Sequence, residues 1–412
     1  MSRRPGTPRL LRQLNDRAAL ELLLSSGPLT RTQLGLETGL SKVTASQLLF
    51  RLQERELVHI VGTQEGGRGP NAALYDVVPT SAYVAGLDVG PTEVTADGPA
   101  QVTAAIADIT GQVVTEATID LVGESNPVSV VHTTVMRLVE RAGVHLDRLR
   151  AFVIGTPGVV DPRTGDIRFS FNLPSWHEGV LERLRADLQR SVIIENDVNL
   201  AAVAERLLGA PTDIDDFVLL WIGAGVGMAI MREGQLHRGH SGSAGEIGWL
   251  PVPGAPLPEE VGLPEGYDFH NEPKLHPSLG YGLQSLVAAR ATCVLAQECG
   301  LPADSVATAF AAAHADAPGG ERFLDEMSRR IARAVTSVSV MLDPGRIVLG
   351  ADVARAGGSD LAQRVGREAR RLGLNVPEIQ VSAVDGNPVL RGAVLSALDV
   401  AREELFTRTT AE

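Results

Sequence analysis

The sequence predicts an α/β protein headed by a winged helix-turn-helix, and three observations carry that expectation. Residues 30–57, TRTQLGLETGLSKVTASQLLFRLQEREL, have the caps and periodicity of two short helices joined by a tight turn. From Ala82 onward, short apolar runs alternate with longer helical stretches, the pattern of strands buried on both faces of a sheet. Two of these runs close on similar glycine-rich turns, LDVGPT at 87–92 and IGAGVG at 222–227, which points to two related halves facing a cleft.

Residues 1–10 are basic and proline-containing and read as a loose arm; a first helix then covers Leu11–Leu24, with Leu20, Leu23 and Leu24 facing inward. Thr30 and Gln33 make a capping box for the second helix, and Gly39 supplies the turn that ends it. Ser41 caps the third helix, whose apolar residues Ala45, Leu48, Leu49 and Leu52 recur at i, i+3, i+4 and i+7. The opposite face and leading turn carry Ser41, Lys42, Val43, Thr44, Ser46, Gln47 and Arg51, side chains suited to base edges and phosphates. Residues 58–75 read as two strands around a glycine-rich tip holding Arg68, the shape of a wing whose arginine can enter a minor groove. Charge points the same way: residues 1–70 hold ten Lys or Arg against six Asp or Glu, while the whole chain carries −13. A basic head on an acidic body makes any contact with a polyanion local. A two-helix hairpin without any nucleic-acid role is the plain structural alternative.

At 412 residues the chain is too long for one ordinary core, so two or three packed units are expected. With 44% hydrophobic and 21% charged residues it reads as globular. No signal-peptide pattern or bilayer-length apolar run is recognisable, so the expected location is the cytoplasm, with no membrane partner. Cys293 and Cys299 are too few for a disulfide framework and read as buried thiols.

Val77–Ser81 reads as a linker, because Pro79 cannot continue a ladder. The strand candidates that follow are AYVAGLDVG, VTAAIADIT, AFVIGTPGVV, SVIIEND, FVLLWIGAGVGMAI and RIVLGAD. Most end in Gly, Asp or Asn, and ligands of open α/β sheets sit beyond the carboxyl ends of strands. Backbone amides in the two glycine-rich turns can cradle phosphate.

These motifs together resemble the ROK family of repressors, uncharacterised reading frames and sugar kinases, along nearly the whole chain. GGRGP after the wing is similar to a GGRP-type element of the family's repressors, and GTPGVVD at 155–161 resembles its G-x-P-G-x-V-D stretch. ENDVNLAAVAE at 195–205, GHSGSAGEIGWLPV at 239–252 and DPGRIVLGAD at 343–352 resemble three further family segments. The resemblance implies the actin-like, two-lobed sugar-kinase fold behind the winged helix-turn-helix. Its expected units are residues 1–78 and 79–412, with lobe one about 79–195 plus 386–412 and lobe two about 196–385. It implies that Gly158, Asn172, Asn196, Asp197, Glu246, Trp249 and Gln284 surround a sugar. In the kinases the aspartate matching Asp197 is the base on the attacking hydroxyl, so here Asp197 is a base or its vestige. On the residues alone, without the flanking match, an Asn-Asp pair before a helix reads first as a cap. The nucleotide side implied by the resemblance comprises Asp88, Gly90, Thr92, Gly223, Gly225 and Gly350.

Departures from the family weigh against a kinase. Pro91 stands where the kinases have glycine, removing an amide donor, and Ala224 replaces a hydroxyl residue that contacts phosphate. The family's zinc motif is missing: its cysteines are absent and Trp249 takes the place of its histidine. His237, His240, His270 and His276 lack ligand spacing, so no metal and no other cofactor is expected. An indole at position 249 either stacks on a sugar or fills the pocket. The leading expectation is therefore a DNA-binding regulator, a repressor in its simplest form, acting on double-stranded operator DNA as a homodimer or homotetramer and sensing a sugar or sugar-derived effector. An ATP-dependent sugar kinase with a DNA-binding head is the alternative, and a ligand-free DNA binder the third.

Overall fold

The computed structural model describes residues 8–65, 71–90, 101–121, 124–169, 176, 179–262, 280–372 and 376–407. Its N-terminal unit comprises α1 (Pro8–Ser26), β1 (Leu29–Thr30), α2 (Arg31–Thr38), α3 (Lys42–Glu54), β2 (Val58–Gln64) and β3 (Ala72–Val77), with the strands in the order β1-β3-β2. The capping box is present: Gln33 N–H donates to Thr30 Oγ1 at 3.2 Å and Thr30 N–H to Gln33 Oε1 at 2.9 Å. Gly39 closes α2 at φ +70°, a conformation that glycine enters without a Cβ penalty. Val77, read as the start of a linker, is the buried last residue of β3; the break is a single 3-10 turn at Pro79–Ser81.

The first lobe contains β4 (Tyr83–Asp88), β5 (Gln101–Asp108), β6 (Val113–Asp120), α4 (Pro127–Ala142), β7 (Leu149–Thr156), β8 (Val159–Val160), β9 (Ile167–Phe169), α5 (Val180–Leu188) and β10 (Ser191–Asn196), and α6 (Asp197–Leu208) follows. The second contains β11 (Phe217–Ile222), β12 (Val226–Arg232), β13 (Gln235–Leu236), α7 (Gln284–Val287), α8 (Ala289–Glu298), α9 (Val306–His314), α10 (Gly320–Leu342), β14 (Arg346–Gly350), α11 (Ala351–Arg371) and β15 (Glu378–Val381). The final helix, α12 (Pro388–Thr407), returns to the first lobe, and α6 packs against both α12 and β12.

The two large sheets share one topology. Their orders are β6-β5-β4-β7-β10 and β13-β12-β11-β14-β15, each with an antiparallel three-strand meander followed by two parallel strands. The paired glycine-rich turns therefore mark two related halves. The run FVLLWIGAGVGMAI holds two strands: β11 and β12 form an antiparallel hairpin, with Ile222 opposite Val226 and the glycine turn between them.

Three apolar clusters hold these layers. One lies under α4 and α5, and one packs α8–α11 on the second sheet. The third is continuous from Leu20, Leu48 and Leu52 of the N-terminal unit, through Leu398 and Phe406 of α12 and Leu200 of α6, to Phe217 and Met231 of the second sheet. Gly392 lets α12 approach α6 closely, since a Cβ there would collide with the Leu200 carbonyl.

Candidate functional site

The parallel strands deliver their carboxyl ends to one cleft. Asp88 lies in register with Gly155, Thr156 with Asn196, and Trp221 with Gly350. A cavity of about 470 Å³ opens there, and of the residues expected around a sugar its lining includes Gly158, Asn196, Asp197, Glu246, Trp249 and Gln284. Asn172, expected beside them, and Thr92, expected on the nucleotide side, lie outside the described residues. Trp249 forms a wall and leaves the pocket open.

Asn196 caps α6: its Oδ1 accepts from Asn199 N–H at 3.1 Å, and its Nδ2 donates to the Gly158 carbonyl at 3.0 Å. The cap and the site are thus the same residue. Asp197 follows at the first helical position, with Oδ1 accepting from Val198 N–H at 2.8 Å. Burial, and then the neighbouring Asp88 carboxylate, push Asp197 up to about 6. Burial, and then Asp197, push Glu246 up to about 7. Asp88 is raised by burial as well, against the opposing effect of a 2.7 Å hydrogen bond from Asn387 Nδ2. Asp197 and Glu246, pushed toward neutrality, suit hydroxyl-rich ligands, since each can donate or accept there.

Several positioning residues are absent from the sequence-based site. Buried Glu195 accepts from Asn196 N–H and from Asn199 Nδ2, both at 2.9 Å, while Arg238 reaches its other oxygen at 2.7 Å. Glu195 and the start of α6 are therefore tied to the second lobe. Its place in the END tripeptide was the available signal. Arg238 and Asn387, 43 and 299 residues distant from their partners, carried none.

Of the residues expected to face a nucleotide, Asp88, Gly90, Gly223 and Gly225 line the same cavity, and Gly350 stands behind Ala351 and Asp352. The Trp221 ring covers two of these glycines: a Cβ on Gly350 would stand 3.1 Å from its Cε3, and one on Gly223 3.7 Å from its Nε1. Ala351, opening α11, holds φ +66°, a region glycine occupies more readily. Its Cβ lies within 3.2 Å of where one on Gly223 would be. Bulk therefore stands beside the backbone expected to meet phosphate. Among the described residues, no group of three or more His, Cys, Asp or Glu is arranged to hold a metal ion.

At the other end of the molecule, α3 presents Ser41, Lys42, Val43 and Gln47 as exposed, with Thr44 and Ser46 half-buried. Ser41 Oγ accepts from Thr44 N–H at 3.2 Å, fixing the start of the helix. Ser46 Oγ accepts from Arg31 Nη1 at 3.1 Å, so an exposed guanidinium from α2 joins this surface; nothing in the helical pattern of α3 signalled it. Arg51 is a correction. Its guanidinium turns back to Asp16 of α1, 2.6 Å away and 1% exposed, so it braces the unit instead of facing outward. Arg68 lies outside the described residues.

The sequence pattern of the ROK family matches residues 85–387. This chain belongs to the ROK family. Over 250 residues it is 24% identical to the DNA-binding transcriptional dual regulator NagC of Escherichia coli, the match covering 60% of this chain and 59% of NagC. It is 25% identical over 249 residues to the xylose repressor of Bacillus subtilis, covering 59% and 61% of the two chains. The match thus spans less than two thirds of either relative. In structure it is similar to a ROK family transcriptional regulator, a homolog of the E. coli MLC protein, with a TM-score of 0.74 at 19% identity, covering 97% of this chain and 98% of that one. Such coverage extends the fold likeness to the N-terminal unit. The ROK hexokinase of Thermus thermophilus superposes with a TM-score of 0.60 at 26% identity over 78% of this chain and 99% of its own. The actin-like body behind a winged helix-turn-helix is therefore the fold of this protein.

Proposed function

We propose that this ROK protein is a DNA-binding transcriptional regulator, in its simplest form a repressor, whose kinase-like body senses a sugar or sugar-derived effector. In this reading residues 1–78 hold the DNA-binding unit and 79–412 the sensing body, without need of a metal or nucleotide. The observation that carries it is α12. This helix starts at the cleft, where Asn387 bonds Asp88 and Val389 lines the cavity, and ends beneath the N-terminal unit, where Arg55 donates to the Leu405 carbonyl at 3.1 Å. A ligand that prefers one cleft geometry then shifts the DNA equilibrium by its differential affinity. The named roles of NagC and the xylose repressor support the reading. Two such units on a homodimer would meet a palindrome, half-sites one or more DNA turns apart.

The test is a titration of the purified protein against its own promoter and random DNA at several salt concentrations, with a sugar panel added. Salt-dependent preference for the promoter, relieved by one sugar, is expected; equal binding to both duplexes at every salt concentration refutes the reading. The second reading, an ATP-dependent sugar kinase, is favoured by Asp197 at about 6, suited to taking a hydroxyl proton. Trp221 and Ala351 oppose it. Sugar-dependent ATP turnover abolished by Asp197→Asn would establish the kinase.

A further inference from the structure

Helix α3 buries Ala45, Leu48, Leu49 and Leu52 along one side. At about 100° per residue, the direction opposite that side runs past Val43 near the start of the helix and Glu54 at its end, with Phe50 and Gln47 about 30° to either side of it. Val43 and Phe50, seven positions apart, are nearly aligned. Both are exposed, Val43 by 67% and Phe50 by 64%. Gln47 and Ser46 flank their line, the exposed Glu54 lies close to it in the last turn, and Lys42 and Arg31 stand at the leading end. Single exposed apolar side chains are ordinary on protein surfaces. A phenyl ring and an isopropyl group on the leading and middle turns of this outward face, among hydrogen-bonding and cationic groups and with the carboxylate of Glu54 only in the last turn, are not, because those turns are what enter a groove. The patch is too small for a protein partner, which needs about 800 Å² per side. The major groove offers one apolar feature, the C5-methyl group of thymine.

We propose that Phe50, seconded by Val43, reads thymine methyl groups in the major groove, so that the bound half-site carries thymine under the middle of α3. The inference rests on the DNA-binding reading and adds a base preference to it. Phe50 supplies shape and apolar contact, while Gln47, one helical turn earlier, has the amide pair that adenine N6 and N7 require.

The test selects binding sites from a random duplex pool with the full-length protein. Affinity is then measured for the selected duplex and for copies in which each thymine in turn is replaced by deoxyuridine, which differs only by the methyl group. One or two replacements should weaken wild-type binding about fourfold, the value of one buried methyl. Phe50→Ala should bind the thymine and uracil duplexes alike, and Phe50→Leu should keep part of the difference. Since Phe50 is exposed, thermal melts of both variants should match wild type. Wild-type indifference to the methyl group, or discrimination undiminished in Phe50→Ala, overturns this inference and leaves the regulator reading standing. Failure to enrich any sequence overturns both.

Discussion

Asp197 and Glu246 enter the folded cleft with proton affinities far from those of the unfolded chain, and that difference has a measurable sign. Their values rise from 3.8 to about 6 and from 4.5 to about 7, so between about pH 4 and 7 the native state holds protons that the unfolded state has released. Stability then falls as pH rises through that window, because the unfolded state binds fewer protons. The melting temperature should drop between pH 5.5 and 8, and Asp197→Asn with Glu246→Gln should flatten the slope. An identical slope in the double variant would show that other groups dominate. At this scale the sequence was legible where a motif fixed chemistry and address together: Asn196 and Asp197 sit at a strand-to-helix junction that any reading of ENDVN locates. Trp221 and Ala351 were not legible. Their effect depends on Trp221 standing opposite Gly350 across β11 and β14 and on Ala351 lying beside Gly223, pairs of residues more than 120 positions apart.

Helix α3 illustrates what an element reveals and conceals. Its cap, turn and buried stripe followed from Ser41, Gly39 and the spacing of Ala45, Leu48, Leu49 and Leu52, since these obey local rules. The partner of Arg51 did not follow, because Asp16 is 35 residues away on α1. Arg51 sits at the margin of the outward face, where a long side chain can turn either way, and the buried carboxylate decides its direction. Removing one partner of such a pair strands the other. Asp16→Ala should therefore destabilise the N-terminal unit by roughly 2 kcal/mol, less than for a fully buried pair because Arg51 is one-third exposed. Arg51→Ala should likewise lower the melting temperature while DNA affinity per folded molecule, measured well below that temperature, stays within about twofold. A tenfold loss of affinity in a fully folded Arg51→Ala protein would return this residue to the DNA surface.

Across the whole molecule, α12 is the element common to both ends. Its 20 residues span about 30 Å at 1.5 Å per residue, enough to run from the cleft to the N-terminal unit. The sequence hid this role, because nothing in PVLRGAVLSALDVAREELFT marks what its ends touch, and its two end contacts join residues 299 and 350 positions apart. Asn387 has two duties there. Its Oδ1 accepts from Leu390 N–H at 3.1 Å as a cap, and its Nδ2 holds Asp88. Asn387→Ser keeps a capping hydroxyl but cannot reach Asp88, so it separates the helix from the cleft at little cost in stability. Sugar-free DNA affinity should then remain near wild type, whereas the factor by which the releasing sugar weakens DNA binding should shrink toward one. By reciprocity, DNA should lose the same share of its effect on sugar affinity. Titrations of each ligand in the presence and absence of the other measure both factors. An unchanged pair of factors would mean that the signal travels by another route, such as the Glu195–Arg238 tie between the lobes.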